Sequence, residues 1–172
     1  MSRDLMSTGS HAYQSRWLPG RLLCESPDEL SRALFAATRH WPVSLHLNKG
    51  LQGAAAEAIE RDRATAINPA VFDAAGLVIV TSAQQCAFPG VPGHEPDMAL
   101  AAAGARQVGR AMEPIRTLTP DSGSYPNEAD YFEPQWQQSF WGANYPRLLE
   151  IKQAHDPANL LRVHHGVGSE AT

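Results

Sequence analysis

The run AGLVIVTSA at residues 75–83 limits the fold more than any other stretch of the chain. It is apolar along nearly its whole length and rich in β-branched residues. It falls far short of the roughly 20 residues that a membrane span needs. A near-continuous apolar strand has no face to show to water, so the run predicts an internal strand. The rest of the chain then has to supply the layers that cover it. A second stretch, PVSLHLNKG, behaves differently. Val43, Leu45 and Leu47 alternate with Ser44, His46 and Asn48, which is the period of a strand with one apolar and one polar face, and Asn48, Lys49 and Gly50 make a turn after it. His46 and Asn48 lie on the polar face, which is either solvated or the lining of a pocket.

Helical signals surround these strands. Ser26, Pro27 and Glu29 make a helix start, and Leu30, Ala33, Leu34 and Ala37 recur on one face that should pack on a sheet. Residues 51–66 read as helix or loop. Asn68-Pro69 can begin a helical turn. After the loop FPGVPGHEP, Met98, Ala101, Ala102, Ala105, Val108 and Met112 mark one face of a helix. Gly104 and Gly109 weaken it unless a close neighbour requires them, and Pro114 should end or kink it. SYPNE reads as a short extended segment, Asn144 as a possible cap of a helix with Pro146 in its first turn, and RVHHGVGSE as an extended tail. The expected order is helix, strand, helix or loop, strand, helix, strand, helix. This is an α+β fold, an antiparallel sheet covered by helices on one face.

With 172 residues, 43% of them hydrophobic and 19% charged, the chain is long enough to bury a core. The formal net charge of -4 gives no basic footprint and argues against nucleic acid as a partner. No signal peptide is read at the N-terminus, which leaves the location open, cytoplasmic if the chain is complete as given, and residues 1–16 read as a flexible lead-in. Cys24 and Cys86 match no metal or redox spacing and read as isolated thiols, with a disulfide or reactive thiol as the alternative. The histidines show no ligand spacing, and His164 and His165, adjacent on an extended tail, should face opposite ways, so no metal site is expected. Neither a glycine-rich phosphate loop nor a GxSxG elbow is found. What remains is the aromatic and acidic stretch after Ser124. Tyr125 and Asn127, two apart, would face one side of an extended segment and present a phenol and a carboxamide to one cavity. The same groups can be a boundary aromatic and a polar surface residue, and Asn144 can be a helix cap.

The stretch YPNEADYFEPQWQQSFWGANYPRLLEIKQAHDPANLL resembles the C-terminal segment of the berberine-bridge-enzyme-like FAD-linked oxidases, flavoproteins of the vanillyl-alcohol-oxidase type. The resemblance rests on Tyr125, Asn127, Trp141, Gly142, Asn144, Tyr145, Arg147, Leu148, Lys152, Asp156 and Pro157. SLHLNKGLQGA, TAINPAVFDAA and GVGSE also resemble segments of microbial members. The resemblance implies part of a substrate-binding α+β domain over residues 17–120 and a berberine-like segment over 121–172. It implies an oxidoreductase that passes a hydride from an alcohol, a sugar or a related small molecule to FAD. By the same resemblance Tyr125 is a catalytic base or substrate contact, Asn127 and Asn144 lie at the flavin, and His46 and Asn48 face the substrate. The segment that carries the flavin-attachment histidine and cysteine in that family has no counterpart here. The expected partner is therefore a separate or missing FAD-binding domain, and the alternative is a non-catalytic interaction module or an inactive fragment of the same family.

Overall fold

The computed structural model describes residues 8–47, 53–85 and 87–170. Its elements are β1 (Thr8–Pro19), α1 (Leu22–Glu25), α2 (Pro27–Thr38), β2 (Ser44–His46), α3 (Ala56–Arg63), α4 (Ala70–Asp73), β3 (Ala74–Gln85), α5 (Met98–Leu118), α6 (Trp136–Trp141) and α7 (Tyr145–His155). Short 3-10 turns lie at Pro126–Glu128 and Gly142–Asn144. The three strands form one antiparallel sheet in the order β1-β3-β2. The apolar run is its central strand, as its composition requires, and Val78 and Val80 are fully buried. The fold is thus α+β with a small antiparallel sheet.

Register separates the two faces of the sheet. Directly paired residues point to the same side. Ala12 pairs with Ser82, Gln14 with Val80, and Arg16 with Val78, all on one face. That face carries the core, where Leu18, Val78 and Val80 meet Leu30, Ala33 and Ala37 of α2 and Val108, Ala111, Met112 and Ile115 of α5. On the other face Trp17, Leu77 and His46 make one row across all three strands, and Ser15, Ile79 and Ser44 make the next. α2 and α5 therefore lie on one face, and α2 packs beside α5 rather than only on the sheet.

Several expectations need correction. Residues 8–16 are not a lead-in: they belong to a strand of 12 residues paired with β3, while residues 1–7 lie outside the described residues. The strand is hard to read because Gln14, Ser15 and Arg16 are polar and yet buried. The buried stripe of α5 runs through Gly104, Val108, Ala111, Met112 and Ile115, whereas Met98 and Ala105 are exposed. A Cβ on Gly104 would collide with the Ser82 side chain, so a close approach to β3 requires that glycine. Gly109 has open space where its Cβ would be. Pro114 sits inside α5, which continues to Leu118: the ring costs the bond to the Arg110 carbonyl, but the fully buried Met112 and Ile115 hold the helix together across it. Ser26 precedes α2 without a side-chain cap, while Asp97 caps α5 by accepting from the Leu100 N–H at 2.9 Å. Asn68 starts α4 as expected, its Oδ1 accepting from the Ala70 N–H. No helix among the described residues is long and apolar enough to cross a membrane.

Candidate functional site

The segment after α5 returns to the outer edge of β1. The Trp17 N–H donates to the Gly123 carbonyl at 3.0 Å, Ser124 Oγ donates to the Ser15 carbonyl at 2.8 Å, and the Tyr125 N–H donates to Ser15 Oγ at 3.0 Å. These bonds occupy backbone groups that an edge strand would otherwise leave open. They also set Tyr125 beside Trp17, ring centroids 6.3 Å apart in an edge-on arrangement. Pro126, with its fixed φ, then turns the chain into a 3-10 turn instead of the extended segment expected from SYPNE. The turn brings the Asn127 carboxamide back, and its Nδ2 donates to Tyr125 Oη at 2.8 Å. The phenol oxygen is an acceptor in that bond, so its proton is free to point at a ligand.

His46 is exposed on β2 and shares the cross-sheet row with Leu77 and Trp17. Two strand spacings separate it from Trp17, about 10 Å. Tyr125 and His46 therefore belong to the same side of the sheet without touching. Asn48 lies outside the described residues. Asn144 does not join this group. Its Nδ2 donates to the carbonyls of Arg63, Thr65 and Ile67 at 2.9, 2.9 and 3.0 Å, which ties the turn after α3 to the start of α7. It makes no side-chain cap bond to α7.

Behind Tyr125 lies a buried ionic knot with no counterpart in the sequence reading. Glu133 is 4% exposed. Its Oε1 accepts from Ser139 Oγ at 2.7 Å, Ser124 Oγ at 3.3 Å and Arg16 Nη1 at 3.3 Å, and its Oε2 accepts from Arg116 Nη2 at 3.2 Å. Arg16 Nη2 also donates to the carbonyls of Thr119 and Pro120. Burial lowers the pKa of the Arg16 guanidinium from its ordinary value, with Glu133 opposing the shift. Gln14 Nε2 reaches Asp130 at 2.6 Å. The polar residues that disguise β1 as a lead-in are thus the partners of residues more than a hundred positions later. The only signal for them in the sequence is the acidic residues among the rings after Ser124.

The tail is held by a column of rings. Tyr131 stacks on His164 at 4.0 Å, His164 on His165 at 3.8 Å, and His165 on Trp136 at 5.3 Å. Adjacent histidines were expected to face opposite ways. They stack because residues 164–165 form a turn and His165 adopts a left-handed φ of 56°. His164 Nε2 donates to the Tyr131 carbonyl at 2.6 Å. Burial, and then His164, lower the His165 pKa from its ordinary value. Tyr145 Oη donates to Glu170 at 2.5 Å, and burial followed by that bond pushes its pKa up to about 12. A cavity of about 420 Å³ beside the column is lined by Trp136, Arg162, His164, His165 and Glu170, among others. No group of three or more metal-ligating side chains occurs among the described residues. Cys24 is an exposed free thiol, and Cys86 lies outside the described residues.

A small antiparallel sheet, with α2 and α5 on one face and a tyrosine-bearing segment clamped to its edge, makes a fold similar to part of the vanillyl-alcohol-oxidase (VAO)-type flavoproteins. More particularly, residues 124–168 match the family model described as "Berberine and berberine like". The FAD-linked oxidoreductase ffsJ of Aspergillus flavipes is 47% identical over 66 residues, 38% of this chain and 11% of that protein. The VAO-type flavoprotein oxidase VAO615 of Thermothelomyces thermophilus is 40% identical over 70 residues, 40% of this chain and 12% of that protein. The fold is similar to the crystal structure of the VAO-type flavoprotein MtVAO713 from Myceliophthora thermophila C1, with a TM-score of 0.69 at 23% identity, over 94% of this chain and 27% of that one. The chain thus spans a small part of the length of these relatives.

Proposed function

We propose that this chain forms the substrate-facing wall of an FAD-dependent oxidoreductase acting on an alcohol, a sugar or a related small molecule. The observation that carries the reading is the Asn127–Tyr125 bond of 2.8 Å on a segment fixed to β1. It orients a phenol on the sheet face that α2 and α5 leave uncovered. The fit to FAD is partial. Trp17 Nε1, buried beside Tyr125, has no hydrogen-bond partner among the described residues, and it offers a donor on the side where a flavin ring or substrate would sit. No glycine-rich cradle for a pyrophosphate is present in the sequence, so the FAD-binding part belongs outside these residues.

Bound FAD would supply a two-electron acceptor for a hydride. Tyr125 acts as a relay: its own phenol proton passes to solvent as its Oη takes up the proton of the substrate hydroxyl. Asn127 is a positioning residue that fixes that oxygen, rather than a cofactor contact. His46, on the far strand, contacts the substrate, and Asn48 is the second residue proposed for that contact. The Asn144 amide nitrogen is committed to the 63–67 backbone, so only its carbonyl oxygen is left for a cofactor, and its main role is to hold the wall together.

The test is rapid-mixing reduction of the flavin in the FAD-loaded protein that contains this chain. Tyr125→Phe should slow flavin reduction by about 10²- to 10⁴-fold, the range of general acid–base catalysis, with substrate binding little changed. An unchanged reduction rate removes Tyr125 from this role. A chain that binds no FAD and restores no activity with any FAD-binding part supports the alternative, an interaction module.

A further inference from the structure

We infer that Ser15 is the positioning residue that sets the Tyr125 phenol on the sheet. The inference rests on the proposed function and adds a residue to that site. Its starting point is that two kinds of bond act on Tyr125. The Asn127 bond to Tyr125 Oη lies within the turn, and so does the bond from the Glu128 N–H to the Tyr125 carbonyl at 2.9 Å. Both orient the phenol relative to its own turn. Neither fixes that turn to the sheet that carries Trp17 and His46. Pro126 and Asn127 are exposed, so their side chains do not seat the turn either.

The link to the sheet is Ser15 Oγ. It accepts from the Tyr125 N–H at 3.0 Å and lies 3.5 Å from the Tyr125 carbonyl, to which its own proton can turn. Gly123 and Ser124 are bonded to β1 just before it. Among the described residues, Ser15 Oγ is thus the last hydrogen-bonded anchor before the turn. Ser15 is 1% exposed, and its direct partner on β3 is Ile79, at 4%. Water therefore has no room to stand in for the hydroxyl. The neighbours of Ser15 on β1 act further along: Gln14 holds Asp130 and Arg16 holds Glu133. Three consecutive residues pin one segment, and Ser15 is the one that acts at the tyrosine. General acid–base catalysis needs the phenol oxygen within hydrogen-bond reach of the substrate hydroxyl, and a misplacement of about 1 Å can cost about 100-fold in rate. Ser15→Ala leaves the Asn127 bond intact and frees the turn to shift over the sheet.

In the FAD-loaded protein that contains this chain, Ser15→Ala should slow flavin reduction about 10- to 100-fold. The probe is whichever of benzyl alcohol, glucose and lactose reduces the flavin fastest on rapid mixing. The deciding comparison is a double-mutant cycle. In a Tyr125→Phe background, Ser15→Ala should change the rate by less than about 2-fold, because the group it positions is already disabled. Equal slowing in both backgrounds is the mark of a general structural role and overturns the inference. So does an unchanged rate for Ser15→Ala alone. Should Ser15→Ala not accumulate, Ser15→Cys, close in size but a weak acceptor, takes its place with the same outcomes. Amide exchange over residues 123–128, read by mass spectrometry, separates the inference from the reaction. Ser15→Ala should speed exchange at Tyr125 by at least about 10-fold. If no probe reduces the flavin, or Tyr125→Phe reduces it at the full rate, the proposed reaction fails. Fast exchange at Tyr125 then still supports Ser15 as the hold on the tyrosine, and unchanged exchange overturns it in every case.

Discussion

Replacing Glu133 with alanine should strongly destabilise the protein. The carboxylate is 4% exposed and accepts from Ser139, Ser124, Arg16 and Arg116. Without it, Arg16, itself 8% exposed, becomes a buried charge whose remaining partners are two backbone carbonyls. Removing one partner of a buried ion pair costs about 3–5 kcal/mol, and the serine hydroxyls lose an acceptor as well. A domain of this size has a total stability of about 5–15 kcal/mol, so the loss is a large share of it. In thermal unfolding, at about 2–4 °C per kcal/mol, the midpoint should fall by roughly 6–20 °C. The double variant Arg16→Met with Glu133→Leu removes both charges and should recover much of the loss. A Glu133→Ala loss below about 1 kcal/mol in urea unfolding, or a double variant no better than the single one, would show that the knot is solvated and the reasoning wrong.

Three further outcomes are expected. The depressed His165 pKa makes the stacked column a source of stability that is present above the ordinary histidine pKa and is lost as pH falls through the lower folded value; thermal midpoints measured from pH 8 to 5 should show the loss, and His165→Phe, which keeps a ring in the stack, should reduce it. Gly104→Ala should destabilise because its methyl meets Ser82, whereas Gly109→Ala, which meets nothing within 4 Å, should stabilise by about 0.5–1 kcal/mol, both read by urea unfolding. Asn144→Ala removes the amide that holds three carbonyls and should cost about 1–3 kcal/mol while speeding hydrogen exchange at residues 63–67.

The parts of the fold that were legible are those where one local rule decides. The apolar run at 75–83 had to be the central strand, and the stripe of α2 had to be buried. The start of α4 followed from Asn68-Pro69. β1 was not legible, because a strand with buried Gln14, Ser15 and Arg16 follows no hydrophobic pattern; its polarity is answered by Asp130, Tyr125 and Glu133, far along the chain. Pro114 misled for a related reason, since tertiary packing of α5 outweighs one lost bond. At the site, Tyr125 and Asn127 were paired for the wrong geometric reason: a turn, and not strand alternation, brings them together. The stacked histidines needed a left-handed residue that two letters do not announce.

The clamp between β1 and the segment after α5 also orders the life of the chain on the ribosome. Ser15 waits about 110 residues for Tyr125, and Arg16 waits longer for Glu133. At about 5–20 residues per second, those groups stand without partners for many seconds of synthesis. Contacts so distant in sequence carry the full entropy of closing a long loop before any of them contributes. β1, made before the other two strands of its sheet, is therefore among the last to be secured. A ribosome stalled before the codon for Glu133 would hold a chain whose β1 edge is still open to chaperones, or to the edge of another copy.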